Sequence, residues 1–109
     1  MHRRLATRIA IFRLCRRARL QASDRGVKAT AYWFGAYYID PKHLAVIIRV
    51  RTDGDKAKLN NNPTFLPALK RELAAVNYPI EGREGVGFEV ESYETVHREF
   101  GGSWYHRFK

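Results

Sequence analysis

The strongest strand signal of the central stretch runs from Leu44 to Arg51. Successive strand side chains point to opposite faces, so Leu44, Val46, Ile48 and Val50 share one side, and Ala45, Ile47, Arg49 and Arg51 the other. Before it lies the aromatic run Ala31–Ile39, of the residue types that suit a pleated, half-buried surface. Tyr32, Phe34, Ala36 and Tyr38 fall on one face of that strand; Trp33, Gly35, Tyr37 and Ile39 fall on the other. Being apolar on both faces, it is expected to be covered on both, or else to expose an aromatic patch. Asp40-Pro41-Lys42-His43 between them carries turn chemistry, so the pair reads as a β-hairpin. Thr52-Asp53-Gly54-Asp55 stops the second strand, and Lys56 to Asn62 reads as a polar loop.

The period then changes. Leu66, Leu69, Leu73 and Val76, with Phe65 at the edge, form one stripe of an amphipathic helix over about 64–76, with Lys70, Arg71 and Ala75 facing away. Thr64 is the expected N-cap and Pro67 sits in the first turn, where a missing N–H costs little. Asn77 suits a left-handed C-terminal residue, and Pro79 forbids continuation. Val86, Phe88 and Val90 alternate with Gly87, Glu89 and Glu91, a strand with one acidic face. That face complements Arg49 and Arg51, so the strands 44–51 and 86–92 are expected side by side and parallel, joined through the helix by a right-handed crossover. Ser92 to Phe100 has room for a helical turn around Glu94–Glu99. Ser103 to Lys109 reads as a last strand, with Trp104, His106 and Phe108 opposite Tyr105 and Arg107. The expected body is α+β: a β-β-α-β-β two-layer sandwich of one sheet and one helix.

Residues 1–28 stand apart. Leu, Ala, Ile and Arg permit a helix from about His2 to Gln21, followed by a linker at Ala22–Gly26. Leu5, Ile9, Phe12 and Leu20 fall on one narrow stripe that Arg16 interrupts; Ile11, Leu14, Cys15 and Ala18 fall elsewhere. The amphipathic pattern is poor, so this arm reads as a basic helix or a disordered extension. The chain divides accordingly into a basic arm and linker, 1–28, and one α+β domain, 29–109.

Charge sharpens that division. The net charge is +9. The arm carries Arg3, Arg4, Arg8, Arg13, Arg16, Arg17, Arg19, Arg25 and Lys28 against Asp24 alone, so the body is nearly neutral. An arginine cluster can neutralise phosphates, lie on an anionic membrane surface if the apolar face is clean enough, or serve as a targeting segment. A solvated extension is the plain alternative. With Cys15 the only cysteine, no intrachain disulfide can form, and a reducing, cytoplasmic compartment fits best. Arg16 and Arg17 beside it would favour a thiolate, but Cys15 has no local partner and reads as a bystander. No apolar run is long enough for a membrane span.

No reaction is legible. His2, His43, His97 and His106 stand at no metal-ligand spacing, and Gly82, Gly85 and Gly87 lead into a strand rather than a phosphate-binding helix. Glu89, Glu91 and Glu94 could form a carboxylate pair, but basic partners are at hand. An enzyme using Glu91 or His97 would rest on residue type alone, and no cofactor or metal is indicated. The expected function is a non-enzymatic module that binds another protein through an aromatic and charged sheet face: Trp33, Tyr37, Arg49, Arg51, Glu89, Glu91, Tyr105 and Arg107, with Tyr32 and Tyr38 as the alternative aromatic pair. These are residue types that dominate interface hot spots. The alternative is nucleic-acid binding through Arg3, Arg4, Arg8, Arg13, Arg16, Arg17 and Arg19.

Overall fold

A computed structural model describes residues 2–109. The Leu44–Val50 alternation becomes β2 (Ala45–Val50), the centre of a three-stranded mixed sheet of order β1-β2-β3. β1 (Thr30–Phe34) pairs with it antiparallel, and β3 (Gly87–Ser92) pairs parallel, with Arg49 opposite Glu91. Leu44, Val46, Ile48 and Val50 are all buried, as their spacing requires. The helices are α1 (His2–Asp24), α2 (Asp53–Asn60), α3 (Phe65–Ala75), α4 (Tyr93–Phe100) and α5 (Trp104–Arg107). The fold is α+β, with α1 and α3 packed over the Val46–Ile48–Val50 side of the sheet.

The basic arm is a helix that joins this core. Ala10, Ile11, Leu14, Ala18 and Ala22 are buried, and Thr7 with them. The narrow stripe Leu5, Ile9, Phe12 and Leu20 is exposed. The inward face is made largely of alanines, which bury little area but let the helix approach closely. Two opposed apolar stripes cancel in any search for one amphipathic face. Polar contacts complete the docking. Buried Glu72 of α3 accepts from Arg17 Nε at 3.1 Å and Gln21 Nε2 at 2.7 Å. Arg25 reaches the start of α3, donating to Thr64 O and Oγ1.

Three further expectations change. The first strand ends at Phe34 rather than Ile39, because Gly35 takes φ +112° and the chain turns through Ala36–Asp40. A Cβ on Gly35 would stand 2.0 Å from the His43 carbonyl oxygen. Asp40 caps the 3-10 turn Pro41–His43, accepting from Lys42 N at 3.0 Å. Second, α2 (Asp53–Asn60) takes up the strand stop at Asp53–Asp55 and most of the expected 56–62 loop. Thr52 caps it by accepting from Asp55 N, and only Leu59 is buried, so its apolar pattern is silent. Third, the expected last strand is the short helix α5, started by Ser103 Oγ accepting from His106 N. The described residues therefore hold three strands, not four.

α3 follows its stripe closely. Phe65, Ala68, Leu69, Leu73 and Val76 are buried, but Leu66 is exposed, and Thr64 makes no side-chain cap. Asn77 has φ +59°, and the bonds Tyr78 N to Leu73 O and Asn77 N to Ala74 O close the helix. The segment Ser92–Phe100 resolves as β3's last residue followed by α4, with Ser92 Oγ accepting from Thr95 N. Among the described residues, no helix is long and apolar enough to cross a membrane.

Candidate functional site

The parallel register sets the site. Placing Ile47, Arg49, Glu89 and Glu91 on the face away from α1 and α3 leaves two carboxylates and a guanidinium beside Tyr32 and Phe34 of β1. α5 lies over part of this face. Trp104 meets Tyr32 edge-on at 6.2 Å and Tyr93 at 5.0 Å, and Phe108 meets Phe34 at 5.9 Å. Trp104 and Phe108 stand four residues apart, so one helical turn presents both rings to the sheet.

Arg49 does not pair with the acid opposite it. Its guanidinium lies 4.6 Å from the Tyr32 ring centre, 5.5 Å from Trp104 and 5.8 Å from Tyr93. Its Nε is buried without a hydrogen-bond partner, alone in this among the side-chain nitrogens and oxygens of the described residues. Burial raises the Tyr32 pKa above 10.0, with the charges of Arg49 and Arg107 pulling the other way.

Glu91 is engaged elsewhere. Its side chain is fully buried and accepts from Lys56 Nζ at 2.8 Å, from Ser92 N at 2.8 Å and from Arg107 Nε. Burial alone would raise its pKa, but the bonds from Lys56, Ser92 and Arg107 outweigh it and hold the carboxylate below its ordinary 4.5. Arg107 also donates to Glu89 at 3.0 Å and packs its guanidinium 4.4 Å from the Phe108 ring.

The eight residues singled out in the sequence thus divide. Arg49, Glu89, Glu91 and Arg107 come together on one face. Tyr105 stands at its margin, 72% exposed, beside His106. Arg51 lies beyond the end of β2, exposed. Trp33 and Tyr37 meet edge-on at 5.3 Å, packed against the core on the opposite side of the sheet. Of the alternative pair, Tyr32 belongs to the cluster, while Tyr38 lies by Arg4. Sequence reasoning missed Lys56, Tyr93, Trp104 and Phe108 as members. Reading 103–109 with helical rather than strand period would have joined Trp104 to Phe108.

A second polar cluster ties the top of the sheet. Asp53 accepts from Ser92 Oγ at 2.5 Å, Thr95 Oγ1 at 2.6 Å and Arg98 Nη1 at 2.9 Å, which holds its pKa far below the ordinary carboxylate value. Glu94 returns the contact by accepting from Asp53 N. These bonds fasten the starts of α2 and α4 together. His97 and His106 are exposed. No group of three His, Cys, Asp or Glu side chains among the described residues could hold a metal ion. Cys15 is half-buried, and burial pushes its thiol up to about 11.

The arginines of α1 are all exposed. Arg17 is held by Glu72 and Arg3 by Glu81, and Arg4 lies over Tyr38. Arg8, Arg13, Arg16 and Arg19 enter no ion pair among the described residues. Compared with family models, curated proteins and solved structures, the chain matches none.

Proposed function

We propose that this chain is a non-enzymatic binding module that docks a protein partner on the aromatic and charged face around Arg49. The observation that carries the reading is that the buried Nε of Arg49 finds no acceptor among the described residues, although Glu91 stands directly opposite. A buried donor without an acceptor costs about 1–3 kcal/mol. The three rings offset part of this through cation–π attraction, worth about 0.5–2 kcal/mol. The rest of the guanidinium is only partly covered, and an acidic side chain or backbone carbonyl of a partner would accept from its terminal nitrogens. Phe34, Tyr93 and Tyr105 surround the site with exposed aromatic area, and Tyr, Trp and Arg are the side chains on which interface energy concentrates.

The test is site-specific photo-cross-linking in the source cells, with the photoreactive residue at position 105 or, as a control, at exposed position 71 on α3. A discrete protein adduct from 105, absent from 71 and lost in Arg49→Met, supports the reading. Equal adducts from both positions, or a 105 adduct untouched by Arg49→Met, overturn it.

A further inference from the structure

The outward side of α1 is a second surface with its own chemistry. Because the core takes the Thr7–Ile11–Leu14–Ala18–Ala22 side, the opposite side of the helix faces solvent. On it lie Leu5, Ile9, Phe12 and Leu20, exposed by 61%, 50%, 59% and 38%. At 100° per residue, all four fall within one quadrant, directly opposite the buried stripe. Arg8 and Arg19 flank this quadrant on one side and Arg13 on the other, with Arg16 in line between Phe12 and Leu20. None of these four arginines is neutralised by an acid of the described residues. The helix carries no acid before Asp24, beyond the last apolar member.

We propose that this face docks on an anionic lipid surface, with α1 lying flat in the interface. Apolar side chains in the centre and cations on both flanks match a bilayer boundary, where the former enter the acyl region and the latter remain with the phosphates. The patch is a convex ridge on a single helix, running roughly 22 Å from Leu5 to Leu20, and a plane accommodates it along its whole length. A nucleic-acid backbone would use the arginines but gives four exposed apolar side chains no role. The site is distinct from the Arg49 face, since α1 lies on the other side of the sheet.

The experiment measures partition of the full chain onto phosphatidylcholine vesicles with and without about one-third phosphatidylglycerol. The comparison is wild type, Ile9→Ser/Phe12→Ser and Arg13→Gln/Arg16→Gln, each first shown by thermal melting to keep the wild-type fold. All four positions are exposed, so the fold is expected to survive. Wild type should bind the anionic vesicles at least about tenfold more strongly than neutral ones, with about a fivefold loss for each arginine removed. The Ile9/Phe12 variant should lose about tenfold or more. Vesicle binding that ignores the Ile9/Phe12 change would overturn the proposal in favour of plain charge adsorption. So would failure to bind vesicles, whether the chain then binds an oligonucleotide with only the arginines mattering, or forms a dimer that Ile9→Ser/Phe12→Ser disperses.

Discussion

Arg49 and Glu91 face each other across the parallel β2–β3 pairing, yet their charges do not meet. Glu91 turns to Lys56 and Arg107, while Arg49 turns to Tyr32, Tyr93 and Trp104. Two consequences separate the two residues. Replacing Arg49 by a flexible apolar side chain removes an unpaired buried donor, so Arg49→Met should leave stability unchanged or raise it by up to about 1 kcal/mol. Urea denaturation measures this, and a loss above about 2 kcal/mol would show Arg49 to be a structural element of the sheet.

Glu91 should behave in the opposite way. Its carboxylate is fully buried among groups that donate to it, and removing it leaves Lys56 and Arg107 facing a void. Glu91→Ala should cost about 3 kcal/mol, near the lower end for breaking a buried pair, because both cations retain some access to water.

Acid should reveal the same carboxylate. Glu72 and Glu91 both have folded pKa values below 4.5. For Glu72, burial opposes the shift, and the bonds from Arg17 and Gln21 prevail. A depressed folded pKa contributes stability that is complete above the unfolded value and is lost as pH falls through the folded one. The melting temperature should therefore hold near neutral pH and decline below about 4.5. In Glu91→Gln the decline should be shallower; an identical slope would show that Glu91 is not held ionised.

The packing of α1 can be tested on its two sides. Ala18 is fully buried where the helix meets the core, so Ala18→Leu should overpack it and cost about 1–3 kcal/mol. Phe12→Ser on the outer side should change stability by no more than about 0.5 kcal/mol. Equal effects at the two positions, read by thermal melting, would contradict a docked helix.

Gly35 governs the hairpin connection. Its φ of +112° is hostile to L side chains, and an added Cβ would strike the His43 carbonyl. Gly35→Ala should cost about 2 kcal/mol or more and should shift amide resonances of Phe34, His43 and Leu44 in heteronuclear spectra.

What could be read from the chain follows the physics of each segment. The Leu44–Val50 strand, the leucine face of α3, its Asn77 terminus and the parallel neighbour at 87–92 were legible because apolar side chains of full size repeat at the right period. α1 showed its helix but hid its inner face, since Ala10, Ala18 and Ala22 carry too little apolar weight to outvote Leu5, Ile9 and Phe12. α2 was hidden because it buries only Leu59; its signal was the Thr52–Asp55 cap. α5 was misread because strand period fits Trp104, His106 and Phe108 as readily as helical period fits Trp104 and Phe108. For the Arg49 cluster, the sequence supplied the charges and the correct sheet pairing. It could not supply the rings of Tyr93 and Trp104, which arrive through two helices after the last strand.

The order of strands along the chain also sets unequal loop-closure costs for the two strand pairings. β1 and β2 are joined by one short connection, so their pairing closes a small loop and can form early. β3 reaches its place beside β2 only after α2 and α3 have been laid down between them. Its pairing closes a much longer loop, and the rings of α4 and α5 follow it. The aromatic enclosure of Arg49, which joins Tyr32 to Trp104, therefore carries a larger loop-closure cost than the hairpin beside it.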